Sequence, residues 1–404
     1  MKNLFVIFIL LLCFGLSSCR QSTAPVIREK SIIAYDNNVF AFKLFKEINS
    51  EDNAKNLFIS PFSVSIALGM TNNGAVGTTR DAMFKTLEQN GMTIDSINNM
   101  YLGLQNTVAG LDQAVQFNIA NSIWYKNTFT FEPTFFDICS KYFNSAATPL
   151  DFNNPASVDI INNWISNKTN GTIQNVIASI DPSTIMFIIN ALYFKAPWTV
   201  KFDSTKSYIG DFYKTTDASI KCKMMLKGDS LMCYENSEFQ LAELPYGNSS
   251  YSMLVFLPKS GQNIDNFISE MNEGNWYNWI NGLQLNKAIL TMPKFKFEYK
   301  NSLKQSLTTL GMGNAFDKSA DFTNLSKLPG VYIGDVIHQA HIDVSEDGTV
   351  ASAVTVVDIR NGTTSEHTPE NVFIITIDHP FVFVIMDKFT KSIEFMGKVL
   401  EPVY

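Results

Sequence analysis

The side chains with catalytic potential in this sequence are few and far apart. Ser230 sits in Gly228-Asp229-Ser230-Leu231, and Asp335-Val336-Ile337-His338 sets a carboxylate three positions ahead of an imidazole. The residue types for a nucleophile, a base and its orienter are therefore present. The remaining supply is thin, because only four histidines occur and all lie beyond residue 337. Other triads and zinc sites have little to build from. A second kind of chemistry lies between Glu346 and Thr368, a stretch that reads as substrate rather than catalyst. Arg360 is its sole basic residue and suits a trypsin-like specificity pocket, which makes Arg360–Asn361 a candidate for cleavage.

The residues ahead of that bond have the makings of a strand. They open with Glu346-Asp347-Gly348, where the glycine permits a hinge at any φ. Thr349 to Val357 are small or β-branched, which favours strand. Thr349, Ala351, Ala353 and Thr355 form one alternate set, small enough to slide against a packed core. No proline interrupts Thr349 to Thr368, so nothing bars full hydrogen bonding within a sheet. Asp358 to Asn371 is polar and reads as an exposed turn. A hairpin with a long tip would also explain the composition, although loops beyond about 12–15 residues are uncommon without a function.

Several elements must carry this stretch. His341–Glu346 and Val372–Ile377 read as its flanking strands. Thr184–Phe194 is a long apolar run, expected as a strand covered on both faces. Asn190 within it would cost about 1–3 kcal/mol without partners, so it predicts a buried hydrogen-bond network. Val115–Tyr125, Ala288–Tyr299, Phe381–Met386 and Ser392–Leu400 also read as strands. Ser60-Pro61 combines an N-cap hydroxyl with a first-turn proline. The helix behind it, Phe62 to Met70, is apolar all round and should be buried, ending near Asn72-Asn73-Gly74. Pro133 opens another helix to about Phe143. Helical and strand patterns are mixed rather than alternating, which points to an α+β fold.

The whole chain narrows the class. Of 404 residues, 46% are hydrophobic and 13% aromatic, enough for a large core. Length alone suggests about two or three domains, yet no linker, low-complexity block or repeat breaks residues 36–404, which read as one. A net charge of −7, with no basic run of five, argues against nucleic acid or heparin-like polyanions as primary partners. Lys2 and the apolar run Leu4–Leu12 have the anatomy of a signal peptide, too short to span a bilayer. It ends in Leu16-Ser17-Ser18-Cys19, which resembles the bacterial lipobox. That implies a signal peptide over 1–18, a lipid-modified Cys19 and a polar tether to residue 35, holding an exported domain to the cell envelope on its periplasmic or outer face. More than one acyl chain, at about 0.8 kcal/mol per buried methylene, makes a stable anchor. An ordinary signal peptide with an incidental cysteine would give a secreted soluble protein instead. Cys139, Cys222 and Cys233 are odd in number and scattered, which reads as buried free thiols rather than disulfides or metal ligands. No metal or cofactor is implied.

Taken together, the motifs resemble the serpins across residues 36–404. Asn56-Leu57-Phe58-Ile59-Ser60-Pro61-Phe62-Ser63 resembles that family's buried-helix motif, and Asn190-Ala191-Leu192-Tyr193-Phe194-Lys195-Ala196-Pro197-Trp198 its central strand and the tryptophan at the strand's exit. His379-Pro380-Phe381-Val382-Phe383 and Phe395-Met396-Gly397-Lys398-Val399 resemble its paired final strands, and Glu346-Asp347-Gly348-Thr349 its reactive-loop hinge. The resemblance implies a metastable fold of three sheets and eight or nine helices with an exposed reactive-centre loop. It implies no catalysis by this chain. It further implies that a serine or cysteine endopeptidase attacks the loop as substrate, and that the cut loop inserts into the main sheet, trapping the covalent acyl-enzyme of a monomeric inhibitor. Strand addition by a serpin loop is a standard example of stored strain released by proteolysis. By position, Ser60, Ser63, Asn190 and His338 match the polar cluster that controls opening of the main sheet. Trp198, Lys294 and Glu346 match the upper opening, the latter two as an exposed ion pair worth about 0–1 kcal/mol.

Two departures from the family pattern stand out. Val350 replaces a common acidic residue and Val354 a usual alanine, both on the set opposite Thr349 and Ala351, where they should be tolerated. The span from Glu346 to Pro380 is also longer than typical. Family spacing puts the reactive bond at Gly362–Thr363, whereas side-chain chemistry favours Arg360–Asn361; Val357, Thr363 and Thr364 would serve elastase- or subtilisin-like enzymes. Thr349 and the proline-free run disfavour a non-inhibitory serpin acting as carrier or decoy. A GDSL-type hydrolase, suggested by the Ser230 and His338 blocks, would need an intervening Gly-x-Asn-Asp that is missing. Mass analysis of the C-terminal fragment released by a target protease decides the bond. A fragment beginning at Asn361 assigns Arg360, and one beginning at Thr363 assigns Gly362.

Overall fold

The computed structural model describes residues 24–215, 218–349 and 372–404. The first third runs α1 (Ala24–Glu51), β1 (Leu57–Ile59), α2 (Pro61–Asn72), α3 (Gly77–Thr86), α4 (Ile94–Gly110) and β2 (Gln116–Lys126). There follow α5 (Pro133–Phe143), β3 (Ala146–Leu150), α6 (Ala156–Lys168), β4 (Met186–Pro197), β5 (Tyr208–Thr215), β6 (Ala218–Glu235), β7 (Phe239–Tyr246) and β8 (Tyr251–Pro258). The remainder is α7 (Ile264–Glu270), α8 (Glu273–Asn281), β9 (Gln284–Pro293), β10 (Phe295–Ser302), α9 (Lys304–Leu307) and β11 (Ile333–Ser345). The last strands are β12 (Gly348–Thr349), β13 (Phe373–Thr376), β14 (Phe381–Asp387) and β15 (Ile393–Val399).

Local chemistry accounts for the helices that frame the sheets. The Ser60 hydroxyl accepts a hydrogen bond from the Ser63 N–H, Pro61 occupies the first turn, and every residue of α2 is buried. Pro133 opens α5, and Asn144 closes it in the left-handed conformation at φ 46°. α2 packs against β2 and β4 on one side and β15 on the other, so it is the pillar between two sheets. α6 covers the opposite face of the first sheet, where its Ile161 and Ile165 join Trp124 of β2 and Phe187 and Ile189 of β4. That double cover explains why the run in β4 is apolar throughout.

The first sheet has six strands in the order β10-β11-β12-β4-β2-β3, with β11 and β4 also paired directly. The second has nine, ordered β1-β15-β14-β8-β7-β6-β9-β13, with β5 on β6. Three sheets were expected. Among the described residues two are hydrogen-bonded units, because β6 is long enough to join β5 over Ala218–Met224 at one end and β7 over Met232–Glu235 at the other, with β9 along Met224–Cys233 between them. The expected third sheet is the β5-β6-β9-β13 lobe of the second. The single strand expected over Ala288–Tyr299 is two, β9 and β10, which part at Lys294 and enter different sheets. The strand leading into the reactive loop is also longer than read, beginning at Ile333 rather than His341. α1 starts at Ala24, within the segment expected to be an aperiodic tether. Among the described residues no helix is long and apolar enough to cross a membrane. Cys139, Cys222 and Cys233 are buried free thiols, and burial pushes the Cys139 thiol up to about 12.

One buried group works against the fold. Glu394 lies at the irregularity where β15 slips against β14, between the Ile385–Phe395 and Met386–Ile393 pairs. It is fully buried, and no hydrogen bond reaches either carboxyl oxygen among the described residues. Burial, reinforced by the Asp387 charge, raises its carboxyl well above the usual range, and the neighbouring Ser392 offsets only part of this. A raised folded-state pKa means stability is lost as pH climbs from the unfolded value, about 4.3. Glu394→Leu is therefore expected to stabilise the protein by about 1–3 kcal/mol near neutral pH in urea unfolding. The gain should shrink toward pH 4, and an equal gain at both pH values would exclude the charge as its cause.

Candidate functional site

The site is the seam between β4 and β11. From Ile333 and Met186 to Ala340 and Leu192 the two strands pair directly and in parallel. Beyond that point they diverge, and β12 begins in the wedge, antiparallel to both. Thr349 pairs with Val344 of β11 and Ala196 of β4, and Gly348 with Ser345 and Pro197. The sheet is thus closed along most of the seam and started open at one end.

A buried polar row fastens the closed part. His338 and Asn190 face each other across the seam, and Asn190 in turn faces Asn121 of β2. The His338 Nε2 accepts from the Ser60 backbone N–H at 3.2 Å, so its Nδ1–H donates to the Asn190 Oδ1 at 2.5 Å. The Ser63 hydroxyl donates to the same oxygen at 2.8 Å, and the Asn190 amide donates to the Asn121 Oδ1 at 2.5 Å. The four residues expected here therefore meet, and Asn190 has the partners its burial requires. Asn121 is a further member that the sequence did not single out, because Val115–Tyr125 alternates and carries Gln116, Asn118 and Ser122 as well, so one more asparagine there does not stand out as Asn190 does in its apolar run. Burial holds the His338 imidazole neutral, its pKa lowered to about 3.

The open end is lined differently. Gly348 sits at φ 146°, and a Cβ there would lie 2.2 Å from the Ala196 carbonyl oxygen, so only glycine fits. The Thr349 hydroxyl shares a 2.6 Å hydrogen bond with the Tyr246 phenol. Tyr246 stacks on Trp198 with centroids 4.4 Å apart, and the Trp198 indole N–H donates to the Ser345 carbonyl at 2.8 Å. Lys294 and Glu346 pair at 2.8 Å, but each side chain is only 10% exposed, so the expected surface pair is in fact largely covered. The Ser207 hydroxyl donates to the same carboxylate at 2.8 Å, and Lys223 approaches it to 3.8 Å. Burial works to raise the Glu346 carboxyl, and the hydrogen bonds from Lys294, its own backbone and Ser207 outweigh it, holding it below the usual range. Tyr246 and Ser207 carry no motif visible in sequence.

Other expected residues fall elsewhere. Ser230 is exposed on β6 of the nine-stranded sheet, whereas His338 is fully buried in the six-stranded one with both ring nitrogens engaged. Asp335 receives the Ser302 hydroxyl and the Val336 N–H. These three do not form a hydrolase triad. Ala351, Ala353, Arg360, Asn361, Gly362, Thr363 and Cys19 lie outside the described residues.

The geometry is that of a six-stranded sheet whose central parallel seam is locked by a buried histidine, with a strand of the same chain already begun at its open end. The chain belongs to the serpin family, whose pattern, described as Serpin (serine protease inhibitor), matches residues 35–402. It is 32% identical to an uncharacterized serpin-like protein of Methanosarcina acetivorans, over all of this chain and 99% of that one. Among solved structures it resembles the thermophilic serpin tengpin in its native state, with 32% identity, a TM-score of 0.83, and coverage of 91% of this chain and 94% of that one. It also resembles human thyroxine-binding globulin solved with its hormone, at 26% identity and a TM-score of 0.83, covering 93% of this chain and 100% of that one.

Because His338 is neutral in the fold and titrates near 6.5 when unfolded, its contribution is complete above that pH and is lost as pH falls toward 3. His338→Gln is expected to cost about 1–3 kcal/mol at neutral pH. Urea unfolding should show the gap to the parent protein narrowing on acidification, and a gap constant from pH 8 to pH 4 would contradict this account.

Proposed function

We propose that the protein is a suicide-substrate inhibitor of a serine endopeptidase, trapping the acyl-enzyme when its cleaved loop completes the six-stranded sheet. The observation that carries this reading is β12, a two-residue strand seated antiparallel between β4 and β11 in register with both. If the inserted strand kept that register along the seam, Ala351 would fall between Phe194 and Ile342, Ala353 between Leu192 and Ala340, and Thr355 between Asn190 and His338. The row shares the inward face of Thr349, which is buried, so small residues would meet the main core. Val350, Val354 and Val356 would take the opposite face, the last two beside Ala191 and Ile189 beneath α6, where bulk is useful rather than obstructive.

The energetics favour insertion once the loop is cut. One parallel ladder is exchanged for two antiparallel ones, and antiparallel pairing is slightly the more stable per residue. The inserted strand also satisfies its own backbone groups on both edges. Tethering at both ends, at Thr349 and at β13, would hold an uncut loop back from making these pairs. Arg360–Asn361 and Gly362–Thr363 remain the two bonds we propose as bait. The target is proposed to meet an exported monomer, anchored to the cell envelope through Cys19.

The reading predicts a complex with trypsin, elastase or subtilisin that survives boiling in detergent. Thr349→Arg places a charge in the buried wedge and is expected to convert inhibition into plain cleavage, with complex yield falling at least about tenfold. Clean cleavage of the parent protein by all three enzymes, with no complex, would sink the inhibitory reading in favour of a carrier or decoy.

A further inference from the structure

Lys294 occupies the one-residue break between β9 and β10, where its backbone N–H donates to the Lys223 carbonyl at 2.8 Å. Glu346 meets its ammonium from one side. On the other side lies the ring of Tyr404, with the ammonium 4.1 Å from its centroid. Tyr404 is itself 61% exposed, so it buries little of its own surface while covering an ion pair that is nearly dry. The segment after β15 is held in place for this. The Asn56 side chain accepts from the Leu400 and Glu401 N–H groups and donates to the Glu401 carbonyl, at 2.7, 3.1 and 2.7 Å. Glu401 pairs with Lys214 at 2.9 Å, and the Lys296 N–H donates to the Val403 carbonyl at 2.6 Å. The chain is thereby tied to the first residues of β10, immediately beside Lys294.

We propose that Tyr404 is a positioning residue of the upper opening: its ring face holds the Lys294 ammonium against Glu346 and keeps water from the pair, fixing the chain two residues ahead of the hinge glycine. A fully solvated pair of this kind contributes little, because water competes for both charges. A ring laid over the ammonium removes that competition on one side and adds its own attraction to the cation. The proposal rests on the strand-uptake reading for its consequence, since Glu346 leads directly into β12, but not for its geometry.

The test reads Lys294 itself. The full chain is acetylated with a limiting N-hydroxysuccinimide ester near pH 7.5, and modification of Lys294 is measured by peptide mass spectrometry against exposed Lys300 on the same sheet. Tyr404→Ala is expected to raise the Lys294-to-Lys300 ratio about three- to fivefold, and Tyr404→Phe to raise it by clearly less, because the ring stays over the ammonium and only the hydroxyl's hydrogen bond to Lys294 is lost. Tyr404→Ala should also shorten the time for which the warmed protein retains its ability to trap protease. A ratio unmoved by Tyr404→Ala, or moved equally by Tyr404→Phe, overturns the proposal. A moved ratio in a protein that never forms a detergent-stable complex upholds the positioning role and overturns the inhibitory reading alone.

Discussion

The structure depends on the hydrogen-bonded parallel seam between β4 and β11 at the centre of the six-stranded sheet. β4 and β11 are the inner strands of their sheet, and an unpaired inner edge over a buried core would leave a row of backbone groups without partners. The two avoid this by closing on each other in parallel. The His338–Asn190–Asn121 row lies across that closure, and the start of α2 reaches it through the Ser60 N–H and the Ser63 hydroxyl. The sheet, the pillar helix and the seam are therefore one unit. Separating the strands means unpairing groups that have no access to water.

The two ends of the seam are built on opposite terms. Along its length it is sealed by backbone pairing and by polar side chains with all their partners inside. At the upper end the strands splay, and the wedge is filled by Gly348, whose positive φ and close approach to the Ala196 carbonyl exclude any side chain. Tyr246, Trp198 and the Lys294–Glu346 pair line it, combining aromatic packing with a charge pair that gains strength from being mostly covered. The two ends therefore differ in kind: one is closed by paired backbone, the other is held apart by a two-residue strand and the side chains around it.

Much of this was legible because the signals were local. Ser60-Pro61 and Pro133 announced helix starts through capping and first-turn chemistry, and both helices lie where those residues put them. Asn190 announced a buried network through the cost of an unpaired amide in an apolar run, and Gly348 announced a hinge. Other features were not local. The strand read through Ala288–Tyr299 is divided at Lys294, a break that alternation cannot register because both halves alternate. Three sheets merged into two because the length of β6 lets one strand pair at both ends with different partners. Tyr246, Ser207 and Tyr404 sit in no motif, and they matter only through what they touch.

The sequence by itself determined the α+β class, the motifs that place the chain among the serpins, the small-residue run behind Gly348 and the members of the polar cluster apart from Asn121. The first three follow from residue type and spacing, which act within a few positions along the chain, and the cluster members Ser60, Ser63 and His338 from the family resemblance those motifs carry. Only the tertiary structure decided that the seam is closed, that β12 has already begun between its strands, and that the Lys294–Glu346 pair is covered rather than exposed. Those are questions of which distant segments meet and how much water remains between them. The segment after β15 lies more than a hundred residues from Lys294 in sequence, and nothing in its composition says that it will cover that side chain.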